Sequence, residues 1–347
     1  MSRTLTLAAG LALALPLAAS AACAGFKSGN YVALNALETD LAWRVNMVSI
    51  DATTLQVTDR EGTIQLTADT AEDCKFYTPN GNPLLVNRSG VFGVRIAADG
   101  TSPASIVLGL PLKKVPLSQF TGTWNYLRHV READGFLHTY NGQLTFGARG
   151  VLTVAQCDAT GTTCNTPERL GKVTVDANGG FLLTERDGSL SRFFALKAAD
   201  GTLMLAGVSM DQSTEAMVIA TPKLARSLPA VGDAYEAWDM NINRTGVVSA
   251  VSAARYRITA VDAATSSFKR KNLDNCSVQT FQVNSGSDGW TYRPAGTTTT
   301  GCGTTKTPST YNKLLSMNLR SAFGFAAYGW ESADINEPRF FGLSINQ

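Results

Sequence analysis

The chain has 347 residues, of which 44% are hydrophobic and 17% charged, and its formal net charge is +2. Such a small charge gives no electrostatic footprint for nucleic acid, and we interpret the longest basic run, Lys269–Lys271, as a solvated strand face. The length exceeds what one hydrophobic core usually serves, which predicts two or three domains.

The N-terminus has the layout of a secretory signal peptide. One Arg precedes an apolar run from Leu5 to Leu17, and Ala19-Ser20-Ala21 supplies the small residues of a cleavage site. We expect residues 1–22 to be removed, leaving Cys23 at or next to the mature N-terminus. A lipoprotein cysteine also follows such a run, so lipidation of Cys23 is the alternative. No later apolar stretch approaches the length of about 20 residues needed for a transmembrane helix.

The rest of the chain has the pattern of short β-strands. Segments such as "TIQLTA", "VLTVAQC" and "RYRITAV" recur roughly every 8 to 14 residues. Pairs such as Asn80-Gly81, Asn141-Gly142 and Asp187-Gly188 separate them, and these pairs favour the tight turns of antiparallel hairpins. This rhythm predicts an all-β sandwich or meandering barrel.

Two Pro-containing stretches divide the mature chain. "LPLKKVPLSQF" from Leu110 and "TPKLARSLPAV" from Thr221 each have prolines on both sides of basic residues, which is typical of an extended connector. They predict three β units of ordinary domain size, at 23–115, 116–228 and 229–347.

The three units begin in the same way. Each opens with a glycine followed by an aromatic strand residue, at Gly29, Gly122 and Gly232, and a cysteine follows 45, 42 and 44 residues later. Agreement in order and spacing predicts three tandem, divergent antiparallel units. Counting candidate strands gives about eight per unit, which fits a small barrel or a sandwich.

A phrase near the end of the first unit returns in the second. "FGVRIAADGT" begins at Phe92, "FFALKAADGT" begins at Phe193, and a looser copy, "FGFAAYG", begins at Phe323. We interpret the phrase as scaffold: an Asp-Gly hairpin turn that leads into the last strand of each unit.

The six cysteines fit a disulfide framework. An even count in an exported chain favours disulfides, although six cysteines allow 15 connectivities. The repeat places two in each unit and predicts one bridge per unit: Cys23–Cys74, Cys157–Cys164 and Cys276–Cys302. The stretch "GTTTTGCGTTKTPST" around Cys302 can bury little apolar surface and is predicted to be a loop.

One strand resembles a known family. "FTGTWNYL", from Phe120 to Leu127, is similar to the opening strand of lipocalin-like and avidin-like (calycin) β-barrels, where a Gly-x-Trp element starts the barrel and its Trp closes one end. The resemblance covers about eight residues, and the other units have Tyr31 and Tyr235 near the equivalent place. It implies a barrel that binds small apolar ligands, and it carries over no binding residue.

The only two histidines flank one turn. If the hairpin is centred at Ala133-Asp134, the imidazoles of His129 and His138 are cross-strand neighbours. With Glu132 or Asp134 they could hold a divalent metal or form a pH-sensitive pair. The alternative is a polar strand face, and two ligands are fewer than a structural zinc needs. We expect no metal or other cofactor, with these two histidines as the weak candidates.

No catalytic motif is complete. Gly207–Asp211 lacks the last glycine of G-x-S-x-G, and the HExxH, Walker A and Rossmann patterns are absent. Paired carboxylates leave no local signature, so a secreted hydrolase that uses them is an alternative function. We interpret four of the carboxylates as turn and surface residues: Asp40, Glu61, Glu185 and Asp187.

The sequence therefore predicts a secreted bacterial envelope or surface protein, periplasmic or extracellular, without catalytic residues. Its expected ligand is a small apolar molecule, a glycan or another envelope component. A structural spacer, a hydrolase and a protein anchored to the membrane through Cys23 are the alternatives. An empty apolar cavity inside one unit would favour ligand binding.

Overall fold

The structure is a computed structural model that describes residues 23–346 except 36–37, 39, 98–103, 132–136, 159, 199–200, 213, 243–247, 312, 319–322 and 329–338. The expected signal peptide lies outside these residues. The described part is built almost entirely of antiparallel strands, which confirms the all-β class. Its one α-helix, α1 (Leu41–Arg44), is a single turn, and none of the described helices has the length and apolar character needed to span a bilayer.

The first unit is a nine-stranded sheet with the strand order β4-β3-β2-β1-β9-β8-β7-β6-β5. Its strands are β1 (Gly29–Leu34), β2 (Val45–Asp51), β3 (Gln56–Asp59), β4 (Gly62–Gln65), β5 (Thr67–Ala68), β6 (Lys75–Tyr77), β7 (Pro83–Val86), β8 (Phe92–Ile96) and β9 (Ser105–Pro111). The two edge strands, β4 and β5, are separated in the chain by the buried Leu66 alone, whose backbone N–H donates to the Leu55 carbonyl at 2.8 Å. One interrupted strand thus supplies both edges.

The second unit is a closed barrel of eight strands, each paired with the next along the chain and the last with the first. They are β10 (Gly122–Arg131), β11 (Leu137–Phe146), β12 (Val151–Gln156), β13 (Glu168–Val175), β14 (Phe181–Glu185), β15 (Leu190–Lys197), β16 (Leu203–Ser209) and β17 (Ala216–Pro222).

The third unit is also a closed eight-stranded barrel, from which a two-stranded hairpin projects. The barrel consists of β18 (Ala234–Ile242), β19 (Val248–Asp262), β20 (Ser267–Asn272), β21 (Val278–Val283), β22 (Thr291–Arg293), β25 (Leu314–Asn318), β26 (Phe323–Tyr328) and β27 (Arg339–Asn346). The hairpin, β23 (Gly296–Thr300) and β24 (Thr307–Tyr311), occupies the stretch predicted to be a loop. Its threonines are good strand formers although they bury little surface.

Each unit carries the predicted disulfide. Cys23 is bonded to Cys74, Cys157 to Cys164 and Cys276 to Cys302. Each bridge contributes about 2–4 kcal/mol by restricting the unfolded chain.

The first two units begin with the same local structure. The Tyr31 hydroxyl donates to the Lys27 carbonyl, and the Trp124 indole N–H donates to the Phe120 carbonyl, both over 2.9 Å and both to the residue four positions earlier. Tyr31 and Trp124 both point into the interior of their unit. In the third unit Tyr235 instead accepts a hydrogen bond from Arg270.

The repeated phrase forms the same kind of hairpin in the first and second units, but the hairpin occupies a different position in each unit. Phe92 on β8 lies over its cross-strand partner Gly109, and Phe193 on β15 lies over Gly207, so that a Cβ at either glycine would collide with the phenyl ring. Strand β9 is the last of the first unit, whereas β16 is followed by β17, so the second copy leads into the penultimate strand and not the last one. Residues 98–100 and 199–200, which include both Asp residues, lie outside the described part.

The largest buried cluster belongs to all three units. The second barrel contributes outward-facing side chains such as Leu127 and Ile219, the first sheet contributes Leu34 and others, and the third barrel contributes Trp238 among others. A separate apolar cluster lies in the interior of each unit. The units are therefore joined by a shared apolar core.

Arg44 fixes the first unit to the second. The residue is 1% exposed, and its Nη1 donates to the carbonyls of Ser209, Asp211 and Thr214 at 3.2, 2.7 and 2.7 Å, while its Nε donates to Glu38. A single guanidinium thus satisfies carbonyls at the end of β16 and in the loop that follows it.

We expect Arg44→Leu to lower the free energy of unfolding by about 3 kcal/mol, because it leaves buried carbonyls without a donor. The measurement is urea denaturation followed by circular dichroism. Arg169→Leu, at an exposed position of β13, is the matched control and should change stability by no more than about 0.5 kcal/mol. Equal stability of both variants would contradict the assigned role of Arg44.

Candidate ligand-binding site

One end of the second barrel is closed by aromatic side chains. The ring of Phe120, which precedes β10, lies 5.3 Å from that of Trp124, 6.0 Å from that of Phe146 and 5.0 Å from that of Phe181. All four are buried. The tilted and edge-on contacts between them are favourable geometries for aromatic rings. Trp124 is thus part of the closure, at the end of the barrel where β10 begins.

Beyond this closure the barrel contains a cavity of about 380 Å³. This volume lies at the lower end of the range for small-molecule sites. Its apolar wall consists of Leu144, Leu152, Val154, Leu183, Phe193 and Val218. Thr166 and Glu168 line the cavity and are exposed, so the cavity reaches the surface at the end of the barrel opposite the aromatic rings.

Strand alternation places the lining side chains. Trp124, Tyr126 and Arg128 alternate along β10 and point inward, while the residues between them point outward. Asn141-Gly142, predicted to be a turn, lies within β11. A Cβ at Gly142 would lie 2.1 Å from the Ala155 carbonyl oxygen and 2.7 Å from Cε1 of Tyr126, so glycine there makes room for the neighbouring strand and for the tyrosine ring.

The open end of the cavity is polar. Arg128, Glu168 and Glu185 line it, together with Tyr140, Gln156 and Ser191. Burial raises the pKa of the Glu185 carboxyl, and the nearby charge of Asp187 raises it further, whereas Arg128 opposes the shift. Burial also raises the pKa of the Tyr126 hydroxyl to about 12, so this group stays neutral. The cavity therefore combines an apolar interior with a charged rim.

Of the four carboxylates interpreted as turn or surface residues, one lines the cavity. Glu185 is half-buried at the rim, whereas Asp40 caps α1 by accepting the Ala42 N–H at 2.9 Å. Asp187 accepts from Ser189 in a turn at 2.9 Å, and Glu61 is exposed in the turn before β4. The signal that Glu185 faces inward is the alternation from Phe181 along β14.

The structure places the two histidines on opposite faces of the hairpin. Thr139 lies opposite His129 and Val130 lies opposite His138, so the register differs by one residue from the predicted one. Directly opposed residues share a face and adjacent residues do not. His129 therefore points outward, while His138 points inward, where its ring stacks on that of Tyr140.

A metal role for the histidines stays a prediction, because Glu132 and Asp134 lie outside the described residues. Within the described part of the chain, no three His, Cys, Asp or Glu side chains come together in a group that could hold a metal. The register separates the two imidazoles that the metal hypothesis required as neighbours.

His129 is buried beside the shared core. It is 2% exposed, its Nδ1 lies 3.0 Å from Thr139 Oγ1, and its partner on β17 is Met217, a member of that core. Burial lowers the pKa of the imidazole to about 3, and the charges of Arg131 and His138 act in the same direction. The ring is therefore neutral in the folded protein at ordinary pH.

Comparisons with known proteins give no family. No family model matches the chain, and no curated protein matches it. Among solved structures, it is similar to a mutant of transferrin binding protein B from Haemophilus parasuis at 10% identity, covering 92% of this chain and 75% of that one with a TM-score of 0.30. Transferrin binding protein B from Neisseria meningitidis gives 11% identity, coverage of 87% and 63%, and a TM-score of 0.29.

A protein of unknown function from Nostoc punctiforme gives 9% identity, covering 68% of this chain and all 100% of that one with a TM-score of 0.23. These TM-scores are too low to support an inference about this chain.

We expect acid to destabilise the protein partly through His129. The unfolded imidazole binds a proton near pH 6.5 and the folded one only near 3, so stability is fully present above about 6.5 and falls by about 1.4 kcal/mol per pH unit below it. The measurement is the free energy of unfolding between pH 7 and pH 4.

His129→Gln should remove this contribution. The slope of the free energy of unfolding against pH should then fall by the equivalent of one proton, about 1.4 kcal/mol per pH unit. His138→Gln, which removes the other imidazole of the same hairpin, should retain the contribution of His129. An unchanged slope in His129→Gln would contradict the low pKa.

Proposed function

We propose that the protein binds a small, apolar, neutral molecule inside the second barrel. The observation that carries this proposal is the cavity of about 380 Å³ between the aromatic closure and the open rim. Protein interiors are normally close-packed, and a water-accessible space of this size with an apolar inner wall is unusual in a barrel that side chains could fill. Its volume is suited to a ligand with two or three rings.

The charges at the rim favour a neutral ligand. Among the described residues that line the cavity, Arg128 is positive, and Glu168 and Glu185 are negative, which leaves one formal negative charge. An anionic ligand would have to bring its charge close to the carboxylates or lose its hydration in the apolar interior. A neutral apolar molecule meets neither cost.

The arrangement of the carboxylates favours binding over hydrolysis. Glu168 and Glu185 lie on the neighbouring strands β13 and β14, and so on the same wall of the cavity. A pair of catalytic carboxylates must instead flank the bond that is cleaved, from opposite sides.

Secretion is the second part of the proposal. Three disulfides are typical of periplasmic and extracellular proteins, because the cytosol keeps thiols reduced. With the signal-peptide pattern of residues 1–22, they support a mature protein that begins near Cys23 and acts outside the cytoplasm.

The ligand proposal is tested with two fluorescent probes that share a skeleton. N-phenyl-1-naphthylamine is neutral, and 8-anilino-1-naphthalenesulfonate adds a sulfonate to the same rings. We expect the neutral probe to bind with a blue-shifted emission, and the anionic probe to bind about tenfold more weakly or worse. Failure of the neutral probe to bind, or tighter binding of the anionic one, would contradict the proposal.

The site of binding is tested by filling the cavity. Val218→Phe places a ring in the cavity and should weaken binding of the neutral probe by about tenfold or more. Thr184→Phe is the matched control, since Thr184 is exposed on the outward face of the same barrel. Ala216→Leu is a smaller change at the rim and should also weaken binding of the neutral probe. It replaces Val218→Phe in the test if that variant folds poorly. Equal binding by all variants would place the probe elsewhere.

Intact-mass measurement of the exported protein tests the secretion proposal. The mature chain should lack residues 1–22 and should gain six hydrogen atoms on reduction of its three disulfides. A diacylglycerol mass on Cys23 would contradict this, because a thioether at its Sγ excludes the bond to Cys74.

A further inference from the structure

Tyr126 brings a hydroxyl group into the middle of the second barrel. The residue lies on β10 between Trp124, which belongs to the aromatic closure, and Arg128, which lines the rim, and all three side chains point inward. Tyr126 is 6% exposed and forms part of the cavity wall. A polar group therefore faces the cavity between its closed end and its rim.

The residues paired with Tyr126 cannot bind its hydroxyl through their side chains. Gly142 lies opposite on β11 and Ala220 lies opposite on β17, and neither has a polar side chain. A Cβ at Gly142 would lie 3.0 Å from the Tyr126 hydroxyl oxygen, so the tyrosine extends across the bare glycine backbone. Among the described residues, none donates a hydrogen bond to this hydroxyl or accepts one from it.

A buried hydroxyl without a protein partner favours a ligand that supplies one. Water can bind the Tyr126 hydroxyl in the free protein, but a molecule that fills the cavity displaces this water. A hydrocarbon would then leave the hydroxyl without a hydrogen bond, whereas a ligand with a suitable polar atom would replace the water. For this reason, a site with one such group discriminates against an analogue that lacks the matching atom.

Arg128 determines which kind of polar atom fits. Its guanidinium contains N–H donors and no acceptor, and its positive charge acts on the Tyr126 hydroxyl, where it opposes the effect of burial on the pKa. A hydroxyl beside a positive charge is a better donor and a poorer acceptor. The two side chains therefore favour a ligand that presents an acceptor oxygen.

The acceptor oxygen belongs to a neutral group. Glu185 lines the same cavity, and the charge of Arg128 lowers the pKa of its carboxyl, so these two opposite charges interact across the rim. Glu168 adds a second carboxylate to the lining. A ligand carboxylate would be repelled by these groups. The carbonyl of a ketone, an ester or an amide supplies an acceptor without a charge.

We propose that the ligand of the second barrel carries a carbonyl group, whose oxygen accepts a hydrogen bond from the Tyr126 hydroxyl. The apolar body of the ligand fills the cavity, and Tyr126 distinguishes a carbonyl compound from a hydrocarbon of the same shape. This inference rests on the proposed function, because it names the chemical class of the ligand for the same cavity.

Two probes of matched shape test the inference. 2-Acetylnaphthalene has a C=O group where 2-isopropenylnaphthalene has C=CH₂, and both are planar and neutral. Equilibrium dialysis against the full mature chain gives both dissociation constants. Because the two probes differ in their affinity for water, the informative quantity is the change in their affinity ratio between the protein and a variant.

Tyr126→Phe removes the hydroxyl and keeps the ring. We expect it to weaken binding of the ketone by about tenfold and to leave binding of the hydrocarbon unchanged or tighter. Tyr31→Phe is the matched control, because the Tyr31 hydroxyl is buried in the first unit and donates to the Lys27 carbonyl at 2.9 Å. Tyr31→Phe should leave the affinity ratio unchanged.

The unfolding temperatures of the ligand-free variants provide a second readout. Tyr31→Phe loses a hydrogen bond within the protein and should unfold at a lower temperature, whereas Tyr126→Phe loses none to a described residue and should not. A lowered unfolding temperature in Tyr126→Phe would overturn the inference, since it would show that the hydroxyl has a structural partner.

The outcomes separate this inference from the proposed function. If the hydrocarbon binds and Tyr126→Phe leaves the affinity ratio unchanged, the carbonyl assignment is overturned and the apolar binding site stands. Binding of the hydrocarbon without binding of the ketone has the same meaning. If neither probe binds, the proposed function is overturned together with this inference.

Discussion

The whole molecule depends on four strands of the second barrel, β10, β15, β16 and β17, being buried on both of their faces. An antiparallel sheet usually alternates between an apolar buried face and a polar solvated one. Strand β16 does not, because its odd residues, such as Leu205, point into the barrel and its even residues, such as Ala206, point into the core shared with the other units. Apolar burial contributes roughly 25 cal/mol per Å². The units are therefore stable as an assembly, and none can be removed without exposing the core of the others.

Apolar contact is not directional, and buried polar groups determine how the units are oriented. Arg44 donates from the first unit to carbonyls of the second, and Asn125 Nδ2 donates from the second to the Asp288 carbonyl of the third at 2.7 Å. A sliding motion of either neighbour would leave these donors buried without acceptors, at a cost of about 1–3 kcal/mol for each group. The same low dielectric that penalises such a loss keeps His129 neutral beside the shared core.

Local signals in the sequence predicted the fold class, the three units and the disulfides, because turns, strand starts and cysteine spacing are each contained in a few residues. Properties that depend on pairing were not predictable in this way. The register of β10 and β11 differs by one residue from expectation, which turns His129 and His138 to opposite faces. The sequence repeated at Phe92 and Phe193 is typical of a hairpin in which an aromatic ring lies over a glycine. Nothing in these residues specifies which strands of the unit form that hairpin.

The interiors of the three units differ more than their scaffolds, for a physical reason. Alternation decides which side chains point inward, but whether they fill the space depends on size and charge. The rings of Phe26 and Phe76 pack with their centres 4.6 Å apart in the first unit, whereas Ser191 and Val218 leave the second partly empty. In the third unit the inward position on β20 holds the buried Arg270, so the interpretation of Lys269–Lys271 as a solvated face was wrong for its middle residue. The alternation starting from Phe268 was the signal that could have found it. Outward residues have to pack against the neighbouring units. Inward residues near a barrel end contact only the molecules that enter the barrel. Binding chemistry is therefore determined by a few inward positions that the assembly itself does not constrain.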